Sequence, residues 1–182
     1  MDKASKIPSL FFNTVDDKPF TNCSKCDASL LEENLAYMVE KVFIPNDVLF
    51  EFALCEHCII KAQANMSKES MERIQNFNES ELFGKMQLIN DFIDEDIDYI
   101  KNQLNEEQPE QDFSRCSIIG HFKGNKMHPA MPVICVSEAT INEVQELFSK
   151  KTRDDMDDFM DFINNVPPGF EKLFDKPKPI LI

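Results

Sequence analysis

The longest regular run of apolar positions steps from Leu82 through Met86, Ile89, Ile93, Ile97 and Ile100 to Leu104, at intervals of 4, 3, 4, 4, 3 and 4 residues. Intervals of three and four keep one helix face apolar, so the run predicts a long amphipathic helix over 82–104. Two stretches have a different character. Residues 35–44 (LAYMVEKVFI) and 48–54 (VLFEFAL) are rich in β-branched and aromatic side chains, with Pro45-Asn46-Asp47 between them. Strand formers flanking turn residues predict a β-hairpin. Ile60, Ala64, Met71, Ile74 and Phe77 then follow at helical spacing, with a break or bend at Ser67. Beyond a polar loop over 105–112, residues 116–122 and 132–136 predict two strands joined across Lys123-Gly124-Asn125.

Two more helices complete the pattern. Ser137 or Thr140 can cap the first, Thr140 and Glu143 standing in capping-box spacing, with Ile141, Val144, Leu147 and Phe148 as its apolar face. Thr152 and Asp155 repeat that spacing ahead of Met156, Phe159, Met160 and Ile163, and this helix is expected to stop before Pro167-Pro168. A helical turn over 170–174 and an extended tail follow, and residues 1–19 read as an irregular segment broken by Pro8 and Pro19. No internal repeat stands out.

Composition narrows the function classes. The chain has 182 residues with 42% hydrophobic content, enough for a substantial core. A net charge of −14 repels phosphate backbones and anionic membranes, which disfavours nucleic acid and favours a protein partner with a basic surface. The excess is uneven: residues 79–182 carry 21 acidic and 11 basic groups, residues 1–78 carry 12 and 8. Glycine occurs only at 84, 120, 124 and 169, so neither a dinucleotide fingerprint nor a phosphate loop can be assembled. No stretch approaches the roughly 18 apolar residues of a membrane span, and the first residues carry too short an apolar run for a signal peptide. A cytoplasmic location is therefore expected. In a reducing compartment six cysteines suggest metal binding, redox chemistry or packing rather than structural disulfides.

Four of the six are paired. Cys23-Ser-Lys-Cys26 and Cys55-Glu-His-Cys58 are two Cys-x2-Cys motifs separated by 28 residues. Each such turn can aim two sulfurs at one point, and two of them supply a tetrahedral thiolate set for Zn²⁺. A helix beginning at the second pair adds its positive dipole end and free N–H groups to the support of thiolates. A Cys pair, a β-hairpin and a second Cys pair at a helix start resemble the treble-clef zinc-finger group over about residues 20–78. The resemblance implies one structural zinc held by Cys23, Cys26, Cys55 and Cys58, and implies little about activity.

Other constellations compete. The segment 50–58, an apolar strand running into Cys55-x-His57-Cys58, resembles the active-site segment of thioredoxin-superfamily oxidoreductases. That resemblance implies Cys55 as an acidic nucleophile, Cys58 as resolving thiol, His57 as tuner, and Pro132 as a candidate cis-proline. Cys116, His121, His128 and Cys135 form a candidate second metal quartet across the second strand pair. Asp91, Asp94, Glu95 and Asp98 share a face of the predicted long helix, and Asp154, Asp155, Asp157, Asp158 and Asp161 crowd the last one. Both runs suit a solvated face or a basic docking partner. Three histidines at 57, 121 and 128 and no hydrolase motif leave nucleophilic catalysis without a constellation.

Together these readings predict an α+β protein. A treble-clef-like zinc module (knuckle, β-hairpin, helix) at 20–78 is expected ahead of a helix-rich, acidic half at 79–182 carrying a short antiparallel hairpin, either as two separate domains or as one compact unit. The expected function is non-catalytic: an intracellular, zinc-stabilised binding or adaptor protein. Thiol-disulfide exchange through Cys55 and Cys58 is the alternative.

Overall fold

A computed structural model describes residues 6–77 and 81–159. A short 3-10 turn at Ser9–Phe11 leads into the small ribbon of β1 (Phe12–Asn13) and β2 (Lys18–Pro19). The hairpin β3 (Ala36–Ile44) and β4 (Asp47–Cys55) follows, then α1 (Glu56–Ala64) and α2 (Lys68–Phe77). Next come a helical turn α3 (Phe83–Lys85), a two-residue strand β5 (Gln87–Leu88), a 3-10 turn at Asn90–Phe92 and α4 (Ile97–Glu107). The last described elements are β6 (Cys116–Lys123), β7 (Lys126–Met127), β8 (Ile134–Ser137), α5 (Glu138–Glu146) and α6 (Lys150–Phe159). The architecture is mixed α and β. Residues 1–5, 78–80 and 160–182, including the expected helix end before Pro167-Pro168, the turn at 170–174 and the tail, lie outside the described residues.

One antiparallel sheet organises the molecule in the order β4-β3-β6-β8-β5, with β7 pairing along β6. β3 is thus an interior strand, paired with β4 on one side and β6 on the other. This explains its near-continuous burial from Tyr37 to Lys41. Strands alternate their side chains, so each face is an every-other-residue set. On one face Phe122 stacks on Tyr37 at 5.3 Å and meets Phe11 edge-on at 5.0 Å. Gly120 lies between them in the close-packed sense that an added Cβ would stand 2.5 Å from the Phe11 ring.

The two lysines buried in this core each have a partner. Lys41, almost wholly buried, donates to the Phe12 carbonyl at 2.6 Å and sits 3.0 Å from Glu51, its cross-strand neighbour. Glu51 in turn accepts from the Thr14 amide and hydroxyl at 2.6 and 2.8 Å. The pair therefore pins the N-terminal segment to the sheet. Lys101 on α4 donates to the Ile44 carbonyl at 3.0 Å with its ammonium over the Phe43 ring.

The long helix expected over 82–104 is instead four short elements: α3, β5, a 3-10 turn and α4. α3 ends at Lys85, Gln87 and Leu88 pair with Cys135 and Ile134, and α4 begins only at Ile97. Ile89, Ile100 and Leu104 are buried as the spacing requires. Their burial is met by a strand, a 3-10 turn and a helix in succession, since a 3,4 spacing specifies which residues point inward and not one continuous backbone. Asp96 caps α4 by accepting from the Tyr99 amide at 2.8 Å, which starts the helix afresh. Asp91, Asp94, Glu95 and Asp98 thus do not share one helix face. All four are exposed: Asp91, Asp94 and Glu95 precede α4 and Asp98 lies in its first turn, where the macrodipole favours acidic groups. The cap of α6 also differs from expectation. Ser149, three residues before Thr152, takes the Thr152 amide on its hydroxyl at 3.2 Å.

Candidate metal centre

The four paired cysteines meet at one point. Their sulfurs all lie within 4.8 Å of one another, and among the described residues this is the one group of three or more metal-competent side chains. Cys23 and Cys26 sit in a turn that the backbone closes twice, Asp27 N–H to Cys23 carbonyl at 2.9 Å and Cys23 N–H to Ala28 carbonyl at 2.8 Å. Asp27 adopts φ 60°, a left-handed conformation that Asp tolerates better than most residues. Two hydrogen bonds fasten this knuckle to β4: Ser24 N–H to the Ala53 carbonyl at 2.8 Å and Ala53 N–H to the Ser24 hydroxyl at 3.0 Å. Cys55 closes β4 as the N-cap of α1, and Cys58 lies in the first turn of that helix. Strand end and knuckle are therefore held together by hydrogen bonds that do not involve the sulfurs.

The spacing carries chemical information. Cys23 and Cys58 sulfurs are 3.8 Å apart, and those of Cys26 and Cys55 are 3.7 Å apart. A tetrahedron of sulfurs at the usual Zn–S distance of about 2.3 Å has edges of about 3.8 Å. The donor set thus fits one tetrahedral, thiolate-loving ion. The pairs in contact join one motif to the other, as four ligands around a shared centre do. Cys23, Cys55 and Cys58 are buried and Cys26 is exposed, so the cluster sits at the edge of the core.

Electrostatics favour the same occupant. Burial pushes the Cys23 thiol up, but the N–H groups of Cys55, Cys26 and Lys25 outweigh it and bring the group down to about 7. The Cys55 amide lies 3.4 Å from that sulfur. Cys55 and Cys58 are pushed up, first by burial and then by their sulfur neighbours, the Cys23 thiolate among them. Without a cation one thiolate suppresses the next. A divalent ion reverses this, since it supplies the positive charge that lets all four sulfurs deprotonate.

The other candidate sites do not assemble. Cys116 and His121 are five residues apart on β6, an odd separation that sends their side chains to opposite sheet faces. Cys116 lies diagonally across the β6–β8 pair from Cys135, a fully buried thiol pushed well up by burial and by Cys116, as two packed core sulfurs would be. His121 is held below its usual range by burial, then by His128. His57, between the two cysteines of its motif, is exposed.

No protein-family model, curated protein or solved structure matches the chain. The functional reading therefore rests on the site. Among the described residues no helix is long and apolar enough to cross a membrane. Sequence reasoning picked out the four cysteines from their spacing alone. It missed Ser24, whose amide and hydroxyl dock the knuckle on β4, and Lys25, which donates to the Phe159 carbonyl at 2.6 Å. Polar residues inside a knuckle carry no pattern that announces such contacts.

Proposed function

We propose that Cys23, Cys26, Cys55 and Cys58 hold one Zn²⁺ in a closed structural site, at the centre of a treble-clef-like module over about residues 20–78. The observation that carries this reading is the pair of 3.7–3.8 Å sulfur contacts linking the two motifs. Four thiolates fill a tetrahedral shell and leave no position for a catalytic water, so zinc here has a folding role. The protein is accordingly an intracellular binding or adaptor protein rather than an enzyme. Its net charge of −14 favours a partner with a basic surface.

Thiol-disulfide exchange through Cys55 and Cys58 has less support. That chemistry needs an accessible, acidic nucleophile, whereas both thiols are buried and pushed up. Among the described residues every strand pairing of the sheet is antiparallel, without the parallel βαβ setting in which a redox Cys-x2-Cys is usually found.

Chelation tests the zinc reading, because structural zinc contributes roughly 10 kcal/mol or more to folding. Removing metal from the full chain is expected to abolish its cooperative melting transition, and zinc alone to restore it. An unchanged melting curve after verified metal removal would refute the structural role. The charge-led partner reading predicts complexes that dissociate as salt rises, since the screening length falls to about 3 Å at 1 M. Complexes indifferent to that salt would contradict it.

A further inference from the structure

The two strand pairs and the helices after them repeat one another. In the first hairpin Tyr37 pairs with Cys55, Phe43 with Val48 and Ile44 with Asp47. In the second, Cys116 pairs with Ser137, Phe122 with Met127 and Lys123 with Lys126. Adding 79 to each residue of β3, and to Asp47 and Val48, gives its counterpart. After a three-residue insertion between β7 and β8 the offset becomes 82, so Cys55 corresponds to Ser137. At that offset α1 (Glu56–Ala64) and α5 (Glu138–Glu146) match end for end, as do α2 (Lys68–Phe77) and α6 (Lys150–Phe159).

Side chains and hydrogen bonds follow. Over 55–77 and 137–159, Glu56/Glu138, Ile59/Ile141, Gln63/Gln145, Ser67/Ser149, Lys68/Lys150 and Phe77/Phe159 are identical, six of 23 positions. The turns between helices repeat: Met66 N–H to Gln63 carbonyl corresponds to Phe148 N–H to Gln145 carbonyl, both at 3.1 Å. The second helices cap each other reciprocally. Ser67 N–H donates to the Thr152 hydroxyl at 2.9 Å, and Ser149 N–H donates to the Ser70 hydroxyl at 2.8 Å. The Ser67 and Ser149 hydroxyls meet at 2.9 Å. In the sheet Glu40 pairs with its own counterpart, Ile119. A twofold axis relating the halves must pass through both of these self-corresponding pairs.

We infer that the chain contains two copies of one hairpin–helix–helix unit joined about a local twofold axis, with Ser137 and Thr140 standing in the second copy where Cys55 and Cys58 stand in the first. Describing those places as metal-ligand positions rests on the proposed zinc site. In the second copy hydrogen bonds do the fastening. The Ser137 hydroxyl accepts from the Thr140 amide at 3.4 Å and lies 3.1 Å from the Thr140 hydroxyl. It also donates to the Gln111 side chain at 3.2 Å, a residue that reaches in from ahead of the hairpin as Cys23 does in the first copy. The second unit thus serves as a built-in partner, pairing with the β3 edge and capping α2, surfaces that a lone unit would leave open.

Hydrogen exchange on the full chain tests this. The Ser137→Ala/Thr140→Val variant is expected to speed exchange of the first-turn amides of α5 roughly 5- to 30-fold, the effect of losing a buried cap, while metal content stays at the wild-type value. Unchanged α5 exchange, or loss of metal from this variant, would overturn the stand-in role. Ser70→Ala and Thr152→Val probe the axis. They are expected to speed exchange at the opposite helix's N-cap amide, Ser149 and Ser67 respectively, by factors within about threefold of each other; an effect at only one end would overturn the twofold. None of these readouts requires that the bound metal be zinc, so chelation separately decides the first-copy site.

Discussion

Gly120 offers the sharpest check on the packing of the sheet. It carries no unusual φ, so an alanine there meets only a spatial obstacle: the Phe11 ring at 2.5 and 2.8 Å and the Phe122 ring at 2.9 Å. Both rings are fully buried, and contacts below 3.0 Å force at least one to move. Overpacking of this kind costs about 1–3 kcal/mol, and disturbing the Phe11–Phe122 edge contact adds about 0.5–1.5 kcal/mol. Gly120→Ala is therefore expected to destabilise the protein by about 2–4 kcal/mol. At about 2–4 °C per kcal/mol for a chain of this length, Tm falls by about 4–16 °C. Urea unfolding of the metal-loaded protein measures it directly. Shrinking the obstructing ring should relieve the clash, so Phe11→Leu/Gly120→Ala is expected to cost at least 1 kcal/mol less than the two single changes added, within the about 0.5–3 kcal/mol range of contacting pairs. An unperturbed Gly120→Ala midpoint, or strict additivity with Phe11→Leu, would refute the packing argument.

Three further outcomes follow. Lys41→Met leaves the partly buried Glu51 without its cation and is expected to cost about 2–3 kcal/mol in urea unfolding, below the about 3–5 kcal/mol of a fully buried pair, with Lys41→Met/Glu51→Gln recovering part of the loss; a neutral Lys41→Met would contradict the pairing. Metal uptake near neutral pH is expected to release protons to an indicator dye, because Cys55 and Cys58 are pushed up and still protonated there. Affinity should accordingly rise with pH, and a pH-independent affinity would argue against thiolate ligation. Cys23→Ser removes one of the four sulfurs and is expected to lower both the metal content per chain and the urea midpoint of protein purified without chelator; wild-type metal content in this variant would contradict the quartet.

How far the sequence announces this molecule depends on whether a feature is local. The first hairpin was readable because strand formers flank Pro45-Asn46-Asp47, and the break at Ser67 is observed between α1 and α2. The cysteine quartet was readable because each motif is a four-residue object with one geometric use. The 82–104 run was not, because buried positions recur at three and four residues whether the backbone between them is helix, strand or turn. The stop signals were present in the acidic run ending at Asp96, whose cap restarts the helix at Ile97. At Thr152 a cap pattern was seen one turn late, since Ser149 and Thr152 both carry hydroxyls at capping spacing and only the structure shows which one opens the helix. The repeat was hidden differently. Its two copies share few identities, the insertion before β8 changes the offset, and Cys55 and Cys58 answer to Ser137 and Thr140, which share size rather than chemistry.

The central claim is that four thiolates share one ion. Elemental analysis of untagged protein purified without chelator, run beside a thiol titration of the native and the denatured, chelated states, tests it most directly. One zinc per chain is expected, with Cys23, Cys26, Cys55 and Cys58 protected in the native state and reactive once the metal is removed. Metal-free protein whose Cys26 reacts at the rate of an ordinary exposed thiol would contradict it.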